Sequence, residues 1–189
     1  LSDVVSRLNL KDNDYFVVSA HREENIDLNH NFEVLVASLN AVAEKYQKPI
    51  IFSTHPRTKK RIEKNKIVFH KLINNIPPLG FFDYVKLQKN AYVVLSDSGT
   101  ISEESAMMGF SAVSIRTSTE RPEAIDAGTV VIGGISTNEV LNAIEITKGL
   151  ELNEITDLPW EYNVKNTSER VVKVIQSYTS IVNKVIWNK

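Results

Sequence analysis

Cysteine is absent from the 189 residues, which removes disulfides, thiolate nucleophiles and cysteine-ligated zinc and suits a reducing cytoplasm. Neither sign of charge is in excess. Lysine and arginine number 22 against 23 aspartates and glutamates, a formal net charge of −1. No global basic field therefore exists to gather nucleic acid or an anionic membrane, and any anion site must be local. No apolar run reaches membrane-spanning length and no signal peptide is recognisable, so a cytoplasmic location is expected. The four histidines, His21, His30, His55 and His70, show no ligand spacing, and no metal is expected. Internal repeats and low-complexity tracts are lacking. The chain opens at Leu1 rather than methionine, and a fragment is expected.

What is present is a globular composition, 42% hydrophobic, sufficient for one sizeable core and an appendage. Apolar runs of strand length alternate with stretches of helical period, the pattern of a doubly wound α/β parallel sheet. Strands are expected at residues 15–18, 50–52, 67–69, 92–95, 112–115 and 129–132. Between them, Phe32, Leu35, Val36, Leu39, Val42, Ala43 and Tyr46 recur at helical spacing and read as core. A basic helix follows over about 57–64, a turn at Pro77-Pro78-Leu79-Gly80 and a helix over 81–90. Ser136 and Glu139 have capping-box spacing and open a helix to about Lys148. Residues 150–165 read as irregular. A last helical stripe, Val171, Val174, Ile175, Tyr178, Ile181, Val182, Val185 and Ile186, includes positions with no partner expected in this chain. Asn166-Thr167-Ser168 fits a glycosylation sequon but reads as helix-capping chemistry.

Ligands bind open α/β sheets at the carboxyl ends of the strands, so the loops there are the places to search. The run Tyr92 to Leu95 leads into Ser96-Asp97-Ser98-Gly99-Thr100 and then a helix. Ser98, Gly99 and Thr100 would offer free backbone N–H groups at the positive end of the helix dipole, with Gly99 leaving room for an anion. Glu104, one to two turns further on, would repel phosphate but accept from a neutral diol. Phosphate cradle plus diol acceptor suggests a nucleotide; an ordinary N-cap with solvated glutamates fits these residues equally well. The first strand leads to His21-Arg22-Glu23-Glu24-Asn25, where His21 and Arg22 could neutralise a departing phosphate. A histidine satisfied by a loop carbonyl is the alternative. His55-Pro56-Arg57 follows the second strand, with Pro56 suited to a first helical turn. Arg121, in Thr119-Glu120-Arg121-Pro122-Glu123, could clamp phosphate or pair with an acidic neighbour.

His21-Arg22-Glu23-Glu24-Asn25, His55-Pro56, Asp97-Ser98-Gly99, Glu103-Glu104 and Glu120-Arg121-Pro122-Glu123-Ala124, then Ala127-Gly128-Thr129, closely resemble the non-hydrolysing UDP-N-acetylglucosamine 2-epimerases over most of residues 15–131. The resemblance implies the C-terminal, Rossmann-like half of a two-domain glycosyltransferase-B architecture. It implies a UDP-binding domain over residues 1–165, a helical segment over 166–189 that packs toward a missing N-terminal domain, and a homodimer when full length. By the same resemblance, His21 is an active-site histidine, and Ser98, Gly99, Thr100, Glu104 and Arg121 lie on the UDP site. Tyr84 would pack against uracil and the Leu79 turn would bond the base; for Tyr84, core packing is the alternative. Arg22 and His55 match positions associated in some members with a second, regulatory UDP-sugar, and a loop contact fits either as well. The partners implied are a UDP-sugar and the missing domain, with no cofactor, nucleic acid or membrane.

Many members have Asp-Ser-Gly-Gly where this chain has Asp97-Ser98-Gly99-Thr100. Together with Ser19 to Asn25, this run looks more like the branch that forms UDP-N-acetyl-L-fucosamine from UDP-N-acetyl-6-deoxy-L-talosamine for capsule or O-antigen. The reaction implied is C2 deprotonation with loss of UDP to a glycal, then re-addition with opposite C2 configuration. A glycosyltransferase of the same architecture and a non-catalytic nucleotide-sugar sensor are the other readings.

Overall fold

The computed structural model describes residues 2–149 and 158–189. Its contacts divide the chain into two units, Leu1–Pro159 and Trp160–Lys189. The first is a six-stranded parallel sheet flanked by helices. In chain order its elements are α1 (Val4–Arg7), β1 (Phe16–Ser19), α2 (Glu23–Ile26), α3 (Asn29–Tyr46), β2 (Ile50–Ser53) and α4 (Pro56–Lys64). These lead to β3 (Ile73–Ile76), α5 (Phe81–Lys89), β4 (Val93–Ser96), α6 (Ile101–Met108), β5 (Ala112–Ser114), α7 (Pro122–Asp126), β6 (Val131–Ile132) and α8 (Thr137–Gly149). The strand order is β3-β2-β1-β4-β5-β6, that of a Rossmann fold.

Both faces of a parallel sheet are covered by helices, which is why its central strands are apolar at every position up to their closing serines. Alternate side chains then serve opposite cores. Phe16, Val18, Ile50, Phe52, Val93, Leu95 and Val113 meet the apolar stripes of α3 and α8 on one face. Tyr15, Val17, Ile51, Val94 and Ala112 meet Val4, Leu87 and Ile101 of α1, α5 and α6 on the other. Each large apolar side chain buried in this way contributes about 1.5–3 kcal/mol before chain entropy is counted. Two glycines carry the geometry of connections. Gly109 ends α6 with φ +68°, a left-handed cap that glycine adopts without strain. A Cβ on Gly133 would lie 2.5 Å from Val113 Cγ1 and 3.0 Å from Ala143 Cβ, so the chain leaving β6 approaches β5 and α8 closely.

One expected strand is misplaced. Residues 67–69 form no strand, and the third strand is β3, six residues later. Ile67 and Phe69 pack on the first core as loop residues, Phe69 edge-on to Phe52 with centroids 6.1 Å apart, while Val68 is 83% exposed. The edge strand itself is Ile73-Asn74-Asn75-Ile76, with both asparagines exposed. At the start of α8, Glu139 Oε2 accepts from the Ser136 N–H at 3.3 Å and from its hydroxyl at 2.5 Å, so the carboxylate half of the capping box forms.

In the second unit a 3-10 helix, Trp160–Asn163, precedes α9 (Thr167–Val185). The expected stripe from Val171 to Ile186 is 36% to 67% exposed. Asn166 occupies the N-cap position but makes no capping bond; its amide nitrogen lies 3.5 Å from Glu169 Oε2 instead. The irregular segment expected at 150–165 lies partly outside the described residues. Among those described, no helix is long and apolar enough to cross a membrane.

Candidate active site

The strand order reverses between β1 and β4, and open sheets bind ligands in the crevice beyond the strand ends at such a reversal. Ser19 and Ser96 stand in register there. The crevice is therefore flanked by the loop after β1, with His21 and Arg22, and by the turn after β4, with Ser98, Gly99 and Thr100.

Asp97 joins these loops. Its side chain is wholly buried, and its Oδ2 accepts from the N–H groups of His21 and Arg22, each at 2.9 Å, and from Asn25 Nδ2 at 3.2 Å. Oδ1 lies 3.2 Å from His21 Nδ1. Asn25, also buried, donates to the Ile115 carbonyl at 3.1 Å and so ties in the chain leaving β5. The Asp97 hydrogen bond pushes the His21 imidazole above its ordinary value, although burial and Arg22 oppose the shift. Burial acts to raise the Asp97 carboxyl, but His21 and the backbone N–H groups outweigh it and hold the group below the usual range. The outcome is a histidine inclined to carry a proton beside a fixed carboxylate, with its ring half exposed to the crevice.

Arg22 reaches the same turn. Its Nε donates to the Asp97 carbonyl at 2.8 Å, and a Cβ on Gly99 would lie 3.6 Å from its Nη2. In the turn, the Ser98 N–H is not free as expected: it donates to Ser96 Oγ at 3.1 Å, because the serine ending β4 folds back over the following turn. Among the described residues, the Gly99 and Thr100 N–H groups have no protein acceptor. Thr100 is the N-cap of α6, so these donors sit at the positive helix end beside a guanidinium, an arrangement suited to diphosphate. Glu104 lies one turn inward, accepting from Thr100 Oγ1 at 2.7 Å and from Gln88 Nε2 at 2.6 Å.

Tyr84 is half buried and packs on the second core, as does Leu79. Burial is the main cause that pushes the Tyr84 phenol up to about 12; a hydrogen bond with Ser19 opposes the shift, and the Glu104 and Asp97 charges add to it. Tyr84 thus faces the crevice from α5. Arg121, at the N-cap of α7, donates from Nε to Glu103 Oε1 at 2.7 Å, which sets its guanidinium against the first turn of α6. His55 stands at the N-cap of α4, where Nδ1 accepts from the Arg57 N–H at 3.3 Å. Arg57 in turn pairs with Glu23 and Asp27, tying that loop to the one bearing His21.

Sequence reading placed Asp97 and Asn25 inside motifs without giving either a role, and assigned none to Gln88 or Arg116. Arg116, 4% exposed, forms a two-pronged bond to Glu120 at 2.8 and 2.9 Å and lies 3.4 Å from Glu24. That bond chiefly holds the Glu120 carboxyl at about 2. Glu120 approaches Arg22 Nη1 at 3.9 Å, so the charges form one network across the segments that follow β1 and β5. An aspartate between a buried strand and Ser-Gly was the available signal; which loop it would bind was not. Among the described residues, no three His, Asp or Glu side chains cluster to hold a metal.

The family model described as UDP-N-acetylglucosamine 2-epimerase matches residues 2–176. A Methanococcus maripaludis UDP-N-acetylglucosamine 2-epimerase is 35% identical over 172 residues, 87% of this chain and 45% of that protein. The structure of UDP-N-acetylglucosamine 2-epimerase from Rickettsia bellii superposes with a TM-score of 0.81 at 39% identity, over 100% of this chain and 51% of that one. The Methanocaldococcus jannaschii enzyme, solved in complex with UDP-GlcNAc and UDP, superposes with a TM-score of 0.80 at 31% identity, over 94% and 49%. The chain thus spans about half the length of the relatives it matches. Its sheet is the Rossmann-like half of a glycosyltransferase-B type fold, and the chain belongs to the UDP-N-acetylglucosamine 2-epimerase family.

Proposed function

We propose that this chain is the UDP-binding half of a UDP-N-acetylhexosamine 2-epimerase. The observation that carries the reading is the meeting of His21, Arg22 and the Gly99 and Thr100 N–H groups, without acceptors among the described residues, around Asp97 at the strand-order reversal. The diphosphate lies against that turn, the ribose diol on Glu104, and the base between Tyr84 and the backbone of Leu79. Arg121 supports the phosphates from α7. Arg22 belongs with the diphosphate, given its approach to Gly99; His55, on the adjoining loop, is placed for a second ligand.

In the reaction, the sugar C2–H bond breaks and its electron pair forms a C1=C2 bond. The C1–O bond breaks anti to that proton, and UDP leaves with the electrons. Re-addition of UDP and delivery of a proton to the opposite face of C2 complete the inversion. Donors already aimed at the leaving diphosphate stabilise charge without reorganising, and removal of one such donor lowers rate by about 100- to 1000-fold. A protonated His21 suits this work. The base that takes the C2 proton belongs to the N-terminal half, absent here, and the exposed stripe of α9 is the surface of residues 166–189 that packs on it. Residues 1–165 form the nucleotide-binding domain, and the 189-residue chain by itself binds UDP weakly and does not turn over. The substrates are UDP-sugar precursors of surface polysaccharide, either the UDP-N-acetylglucosamine and UDP-N-acetylmannosamine pair or the UDP-N-acetyl-6-deoxy-L-talosamine and UDP-N-acetyl-L-fucosamine pair.

The test is incubation of the full-length enzyme with each UDP-sugar in deuterated water. Epimerisation with deuterium at C2 is expected. Sugar transfer to an acceptor without exchange identifies a glycosyltransferase, and binding with neither identifies a sensor; either result defeats the proposal.

A further inference from the structure

Glu104 is held from two sides. Its Oε2 accepts from Gln88 Nε2 at 2.6 Å, and its Oε1 accepts from Thr100 Oγ1 at 2.7 Å. Thr100 Oγ1 lies 2.9 Å from Ser98 Oγ, which completes a chain of hydroxyls back to the turn. Gln88 sits on α5, one turn after Tyr84, and is wholly buried. Its Oε1 is buried with no hydrogen-bond partner among the described residues. An orphaned buried carbonyl is destabilising, and an apolar side chain of similar length would avoid it. The glutamine therefore brings one useful bond to the fold, the one to Glu104.

We propose that Gln88 and Thr100 clamp the Glu104 carboxylate, and that the clamp makes the site select a nucleotide with an intact ribose cis-diol over its deoxy counterpart. A carboxylate has about four acceptor positions. The clamp occupies one on each oxygen, which leaves one free on each and fixes the plane in which they lie. Two vicinal hydroxyls can meet those two acceptors. Both clamping donors are neutral, so the carboxylate keeps its charge and bonds the diol with ionic reinforcement. A side chain ordered before the ligand arrives loses no freedom on binding, an advantage of about two- to tenfold in affinity. A nucleotide lacking the hydroxyls leaves the two remaining acceptor positions of a partly buried carboxylate unmet and binds more weakly.

The inference rests on the proposed seat of the ribose at Glu104, and the experiment separates the two. UDP and 2′,3′-dideoxyuridine diphosphate are titrated into the 189-residue chain by calorimetry. The wild type is expected to prefer UDP by about tenfold or more. Gln88→Met keeps volume but removes the donor, and is expected to bring the preference to about threefold or less through weaker UDP binding, with dideoxy affinity unchanged. Thr100→Val, at an exposed position where folding is not at issue, lies in the diphosphate turn and is therefore read by the ratio of the two affinities alone, which is expected to fall to about threefold or less. Equal weakening of both nucleotides, or full preference in both variants, overturns the clamp. If Glu104→Ala removes a preference that both variants keep, the ribose seat stands and the clamp falls. If the wild type shows no preference, both fall.

Discussion

Replacing Asp97 with asparagine preserves shape and one acceptor oxygen while removing the charge that joins the two crevice loops. At Oδ2, three donors converge from His21, Arg22 and Asn25. An amide oxygen there keeps the bonds without ionic reinforcement. Bonds to a charged partner contribute about 1.5–3 kcal/mol against about 0.5–1.5 between neutral groups, so three bonds lose about 3 kcal/mol together. The His21 ring adds less because it is half exposed and screened by water. Urea unfolding at pH 7 is expected to show a loss of about 2–4 kcal/mol. The signs with pH follow from the two shifts. Asp97 is depressed when folded, so its contribution is present above its ordinary value of 3.8 and lost as pH falls through the lower folded value. His21 is raised, so its contribution is complete below 6.5 and lost as pH climbs through the higher folded value. The acid limb of the stability profile should therefore flatten in the variant, and the His21 ring-proton titration by NMR should move down toward 6.5. A stability change under about 0.5 kcal/mol with an unmoved His21 midpoint would refute the role given to Asp97.

Gly99→Ala should fold normally, since the added Cβ meets Arg22 at an ordinary 3.6 Å, yet weaken UDP binding by about tenfold by standing where the diphosphate approaches. An unchanged UDP Kd, measured by calorimetry, would displace the phosphate from this turn. Arg116→Met should let the Glu120 carboxyl rise from about 2 toward its ordinary 4.5, read by carboxyl-carbon NMR; because that group is depressed when folded, the lost contribution is one present above 4.5 in the wild type and lost toward pH 2. A Glu120 titration that stays near 2 would show that Arg116 does not control it. Gly133→Ala should lower thermal stability by about 1–3 kcal/mol through overpacking against Val113 and Ala143; a melting temperature equal to wild type would mean the chain there yields without strain.

The elements legible in the chain were those whose physics is local. Tyr15-Phe16-Val17-Val18 and Tyr92-Val93-Val94-Leu95 announce central strands because both of their faces are buried, and the α3 stripe announces itself by its period. The edge strand was not legible. Asn74 and Asn75 face solvent, and the apolar Ile67 and Phe69 mimic a strand while packing as loop. The same contrast holds in the crevice. His21, Gly99, Thr100 and Glu104 stand out by their place after a strand or at a helix start. Asp97 and Gln88 act on residues 76 and 16 positions away, and no local pattern reveals which distant partner a buried polar group will meet.

The pairing of β1 with β4 has a bearing on biosynthesis. When synthesis has reached only Gly80, His21 and Arg22 already belong to a chain that still lacks Asp97, the group that orients both. Contacts so distant in sequence form late, after much closure entropy has been overcome. The seat proposed for the nucleotide is therefore incomplete on the growing polypeptide before Ser96 zips alongside Ser19. From that moment a ligand held there would act as a thermodynamic latch on the finished topology, since it would bind the native crossover and nothing earlier.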